Sequence, residues 1–174
     1  MTDRPPFIRS AFEFPEVENR YPERDDLVAG SPRGEVLSYS RAFGKLAGLQ
    51  RIGLHWERLP PGHRTSLPHA EEKEEEFVVV LEGRVEAWID GTRYVMERGD
   101  IAAFPSGTGI AHTFINEGEV DAILLVGGEQ SKPDNRITYP LDAWRRAQLK
   151  PEEWWDDAPQ AELGSSSPQT RRKG

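Results

Sequence analysis

The chain has 174 residues, with 30 acidic against 22 basic side chains, a formal charge of −8 and no cysteine. Such a surface repels nucleic acid and anionic membranes, and the missing thiols exclude disulfides and thiolate metal sites. No apolar run approaches the ~18 residues of a membrane span. The opening MTDRPPFIRS lacks the apolar core of a signal peptide, so a cytoplasmic protein is expected.

Residues 1–34 are rich in proline and charge but carry Phe7, Ile8, Phe12, Phe14 and Tyr21. That is too much apolar surface for a free tail, so the segment reads as a docking arm. Residues 35–127 have the beat of an all-β domain, with no helical period. QRIGLHWERL alternates Ile52, Leu54 and Trp56 with Gly53, His55 and Glu57. FVVVLEGRVEAWIDGTRYVM holds three short strands, punctuated by Glu82-Gly83 and by Asp90-Gly91, a strong hairpin signal. IAAF, IAHTFI and AILLVGG follow, separated by PSGTG and NEGE. Turn signals about every ten residues predict a sandwich or barrel.

Residues 128–160 change character again. PLDAWRRAQLK predicts one short helix with Asp142 as its N-cap and Pro151 beyond its end. Trp144, Trp154 and Trp155 mark a second docking arm. Residues 161–174, ending in RRKG, read as a disordered tail. FVVVL and AILLV are apolar on both faces, so the outer face needs a cover. The arms or a second subunit can supply it. A homodimer with exchanged arms is expected, with both arms folding onto their own sheet as the alternative.

The chemistry-bearing residues fall at the starts of strands. His69 and Glu71 are two apart and project to one side of an extended chain. Glu76 shares a face with Val78 and Val80, and His112 with Ile110 and Phe114. Two imidazoles and two carboxylates from three neighbouring strands can then converge. That donor set suits a divalent Zn, Fe, Mn, Ni or Co. Without an ion, two buried carboxylates must protonate or repel each other. Taken singly, EEKEEE reads as a solvated turn and His112 as a core residue. Their shared placement is what points to a site.

These residues also carry a resemblance. Gly62, six residues, His69-Ala70-Glu71, four residues, Glu76, six residues and Gly83 is similar to the first motif of the cupin superfamily. Gly99, five residues, Pro105-Ser106-Gly107, four residues, His112, three residues and Asn116 is similar to the second. In this chain Glu71 stands where the family usually has its second histidine, and the loop before His112 is two residues longer. The resemblance implies a jelly-roll barrel, commonly dimeric, over residues 35–127. It implies a divalent metal, Zn first among Zn, Fe, Mn and Ni, on His69, Glu71, Glu76 and His112. The expected function is a metal-dependent enzyme acting on a small polar molecule, a sugar or an organic acid, with Glu71 as ligand or general base. The alternative is a non-catalytic sensor or small-molecule binder.

Overall fold

Asp90 and Gly91 both take positive φ, 44° and 82°. This is the backbone of a type I′ turn, and it closes the hairpin between β6 (Arg84–Ile89) and β7 (Thr92–Glu97) as the dipeptide predicts. The computed structural model describes residues 4–21 and 35–171. The other strands are β1 (Val17–Arg20), β2 (Val36–Ala42), β3 (Ile52–Leu59), β4 (Ala70–Glu71), β5 (Glu76–Glu82), β8 (Ile101–Phe104), β9 (His112–Ile115), β10 (Ala122–Glu129) and β11 (Ile137–Thr138). Every ladder between them is antiparallel. They form a six-stranded sheet ordered β1-β2-β3-β10-β5-β8, a three-stranded sheet β7-β6-β9 and the pair β11-β4. The architecture is a cupin-like jelly roll. No helix among the described residues is long and apolar enough to cross a membrane.

Strand alternation decides what lies between the sheets. Val78 and Val80 of β5, Leu59 of β3, Ala122 and Leu124 of β10, Val85 and Ala87 of β6, Met96 of β7, Phe104 of β8 and Phe114 of β9 form one buried cluster. Because Leu59 faces inward, so do Glu57, His55 and Gly53, two residues apart along the same strand. The apolar set Ile52, Leu54 and Trp56 therefore faces outward. The polar half of this alternation lines the interior, the reverse of the usual pattern, and Glu57 is only 5% exposed.

The N-terminal arm covers part of the outer face. A 3-10 turn (Ala11–Glu13), capped by Ser10, brings Phe12 edge-on to Trp56 with ring centres 5.4 Å apart. Arg58 holds Glu16 at 2.9 Å, and β1 adds a strand to β2. The buried Tyr21 donates its hydroxyl to Asp142 Oδ2 at 2.7 Å, tying this arm to the C-terminal one. Asp142 also caps the expected helix, α2 (Ala143–Gln148), by accepting from Arg145 N. One helical turn, α1 (Phe43–Leu46), interrupts the β region where no helical period was expected. Four residues are too few for a period to show.

The segment expected as a tail is tied down over its described part. Gly164 N donates to Asp90 O, Ser166 N to Gly91 O, and the indole of buried Trp88 to Ser166 O. Gly91 and Gly164 lie so close that a Cβ on Gly91 would sit 2.2 Å from Gly164 O. Arg93 bridges Glu86 and Glu117 at 2.9 and 2.7 Å and donates to Ser167 O and Gln169 O. Backbone groups of the segment make most of these contacts, joined by Thr170 and Arg171, which reach Glu117 and Glu86, so its polar composition gave little warning. Residues 22–34 of the expected N-terminal arm, and residues 1–3 and 172–174, which include part of RRKG, lie outside the described residues.

Candidate metal centre

Three of the four expected ligands meet at one end of the sheet interior. Glu76 opens β5, paired with Gly128 of β10 on one side and Phe104 of β8 on the other. His112 opens β9 and forms a β-bridge with His69. One ligand atom each from His69, Glu76 and His112 lies within 4.8 Å of the others. Glu76 Oε2 is 3.6 Å from His69 Nε2 and 3.3 Å from His112 Nε2. Glu75, next in sequence to Glu76, is exposed, as its alternate face requires.

The ring nitrogens facing away settle what faces inward. His69 Nδ1 lies 2.8 Å from Leu67 O and His112 Nδ1 lies 3.2 Å from Ile110 O. A carbonyl only accepts, so each neutral ring carries its proton on Nδ1 and turns an Nε2 lone pair to the centre. Burial holds the His112 pKa below its ordinary value, which disfavours a second proton. Burial pushes Glu76 up, but the hydrogen bond from His112 and the charge on both rings once they take a second proton, on Nε2, outweigh it, and its pKa is lowered overall. Glu76 Oε2 is buried and has no hydrogen bond of ordinary geometry. With both rings neutral, two lone pairs and an anionic oxygen share one small space. The donor set fits a divalent cation, which would convert each of these contacts into an attraction.

Glu71 stands outside that group. Asn135 Nδ2 donates to its Oε2. Burial raises its pKa to about 7, against the opposing effect of the Asn135 hydrogen bond and the His69 charge. The rest of EEKEEE is not the free turn that its composition suggests. Arg136 grips Glu72 through two nitrogens at 2.8 and 2.9 Å, and Lys73 pairs with Asp134. The C-terminal segment that follows β10 makes all these contacts.

Sequence reasoning missed four neighbours of the site. Phe104 stacks on His112 with ring centres 3.5 Å apart and planes within 6°. Tyr139 lies 5.9 Å from the His69 ring, and the guanidinium of Arg145 stands 5.6 Å from the centre of the Tyr139 ring. Asn135 completes the set. Three of these come from residues 135–145, which no spacing rule connects to strands some 60 residues earlier. Phe104 was legible as an inward strand residue, but its stacking partner was not. The longer loop before His112 also has a role, because Gly109 packs so tightly on Pro159 that a Cβ would sit 2.5 Å from its carbonyl oxygen.

Comparisons with known proteins agree with the fold that carries this site. The Cupin domain family model matches residues 55–128. Among solved structures, a sugar phosphate isomerase from a cupin superfamily, from Silicibacter pomeroyi, aligns with TM-score 0.67 and 29% identity over 76% of this chain and 81% of its own. A proposed sugar phosphate isomerase from Acidithiobacillus ferrooxidans aligns with TM-score 0.56 and 29% identity over 59% of this chain and 65% of its own. A polyketide cyclase from Streptomyces resistomycificus, 21% identical with TM-score 0.51 over 67% of this chain and 82% of its own, shares the fold. No curated protein matches the chain.

Proposed function

We propose that this chain, which belongs to the cupin superfamily, is a metal-dependent enzyme acting on a small polar molecule, with a sugar phosphate as the first candidate. The observation that carries the reading is the convergence of two Nε2 lone pairs and one carboxylate oxygen within 4.8 Å. His69, Glu76 and His112 would hold the ion, with Zn preferred for an imidazole–carboxylate set. When bound, it supplies Lewis acidity toward a substrate oxygen. The likeness to the Silicibacter pomeroyi isomerase supports the sugar phosphate class.

Glu71 is the proton carrier of this scheme. A carboxyl with a pKa of about 7 can take and return a proton near neutral pH. Asn135 fixes its orientation, and its place outside the ligand group leaves it free for that work. Tyr139 and Phe104 wall the site. The reading also includes a cytoplasmic homodimer, for which exposed Ile101 and Val95 on the sheets offer apolar contact surface.

Purified protein reconstituted separately with Zn, Mn, Fe and Ni, and offered pentose and hexose phosphates and small hydroxy acids, tests this. Turnover should be abolished by a chelator. Glu71→Gln should lower kcat roughly 10²-fold or more with metal content unchanged. Saturable substrate binding without turnover by any metal form would replace the enzyme with the non-catalytic binder.

A further inference from the structure

One glycine has no structural reason to be a glycine. Strand-interior glycines weaken a sheet and often mark a close approach. Gly127 has such a reason, since a Cβ there would lie 2.4 Å from the Phe77 ring. Gly128 has one too, since its Cβ would lie 2.7 Å from Glu75 O. Gly53, inside the eight-residue strand β3, has neither a positive φ nor a crowded neighbour. Its Cβ would meet nothing nearer than 3.8 Å.

Register places this gap. Gly53 pairs with Gly128, and Gly128 with Glu76. The row beside the metal ligand is thus bare of side chains across two strands. A Cβ on Gly128 would lie 3.3 Å from Glu76 Cγ, and one on Gly53 3.9 Å from His55 Nε2. The bare strip therefore runs from Glu76 to the His55 imidazole on a single inward face. Glu76, Phe104 and Gly128 also border a cavity of about 340 Å³ at the strand ends, whose other walls include the outward-facing Ile52 and Phe77 and which neither Gly53 nor His55 lines. The His55 ring makes no hydrogen bond with any described residue, and burial lowers its pKa. A neutral imidazole offers one donor and one acceptor, the pattern that a hydroxyl matches.

We infer that Gly53 and Gly128 floor a substrate cradle and that His55 contacts a hydroxyl of the ligand's carbon chain while another oxygen of the ligand reaches the His69–Glu76–His112 centre. The inference rests on the metal reading and, of the two substrate classes offered above, favours the hydroxy acid over the sugar phosphate: a chelating head joined to an uncharged, hydroxylated chain. A side-chain-free floor beside Glu76 leaves room for that chain and provides no cation to bind a phosphate there.

Co²⁺-loaded protein provides the test, because its visible spectrum reports ligands entering the metal shell. The probes are glycolate, which has only the chelating head, and erythronate, which adds two hydroxymethylene units. Wild type should bind erythronate at least about tenfold more tightly than glycolate, the worth of one well-placed hydrogen bond. His55→Phe and Gly53→Leu should erase that increment, while His55→Gln retains part of it. Gly53→Ala, which meets only ordinary contacts, should fold as wild type and reduce the increment about two- to fivefold, a fraction of one hydrogen bond. Glycolate and Co²⁺ affinities should stay unchanged throughout. Loss of Co²⁺ binding in wild type would overturn the metal reading and the cradle together. Co²⁺ binding with no erythronate increment, or an increment that survives His55→Phe and Gly53→Ala alike, would overturn the cradle alone.

Discussion

Two carboxylates, one buried and one half-buried, face the interior of the same sheet, and they are in opposite states. Glu76 pairs with Gly128 of β10, and Glu57 with Leu124 of the same strand, four residues away. Glu57 has the Ser38 side chain as its hydrogen-bond partner, and its Oε1 has none. Burial raises its pKa to about 7. Glu76 is half-buried with its Oε2 shielded, yet its pKa is held below the usual value by His112 and His69 against the effect of burial. Burial alone makes a carboxyl keep its proton; burial beside two inward-facing imidazoles keeps it charged. Only the second arrangement offers a cation a place.

The comparison can be broken at either end. The largest effect should come from metal. Saturating divalent ion, at about 1,000 times its Kd, should stabilise wild type by roughly 4 kcal/mol. Glu76→Gln should lose nearly all of that gain, measured by thermal or urea unfolding with and without the ion. Equal metal stabilisation in the variant would remove Glu76 from the centre.

The Glu57 end is a pH prediction. Its folded pKa of about 7 lies above the ordinary 4.5. Below pH 4.5 both states carry the proton and nothing is lost. Between pH 4.5 and 7 the unfolded chain ionises while the folded one does not, so stability falls as pH rises, then levels off. Two to three pKa units correspond to about 3 kcal/mol. Urea unfolding of Glu57→Gln should show a slope shallower than wild type by that amount across the interval, and parallel slopes would refute the buried proton.

Smaller effects sharpen the contrast. Phe104 stacks flat on His112, and Phe104→Leu should lower metal affinity roughly tenfold by releasing the ring, as disruption around a ligand typically does. Unchanged affinity, read by competition with a chromophoric chelator, would make Phe104 mere core. Ser38→Ala removes the hydrogen bond that favours ionised Glu57, so it should destabilise by about 1 kcal/mol more at pH 8 than at pH 4. A pH-independent loss would mean that Ser38 acts only through its Asn19 contact.

The parts legible in the sequence were those set by local rules. Asp90-Gly91 announced its turn, period-2 patterning placed Glu76 with Val78 and Val80, and Asp142 announced the cap of α2. Motif spacing joined His69, Glu71, Glu76 and His112, of which the structure brings three together and leaves Glu71 outside the group. What the sequence hid depends on long-range pairing. The alternation in QRIGLHWERL gives two faces but not which one turns inward, and here the polar face does. Asn135 and Tyr139 reach the site because the segment after β10 returns over β4, and no local pattern encodes that return. The described part of the tail is held largely through its own backbone N–H and C=O groups, to which composition is blind.

The most direct test of the shared centre is elemental analysis of untagged protein alongside four variants. The account predicts about one divalent ion per chain in wild type and in Glu57→Gln. It predicts substoichiometric metal in His69→Ala, Glu76→Gln and His112→Ala, with each variant folded by circular dichroism. A metal-free wild type after exposure to Zn, Mn, Fe and Ni, or metal retained equally by all three ligand variants, would contradict it.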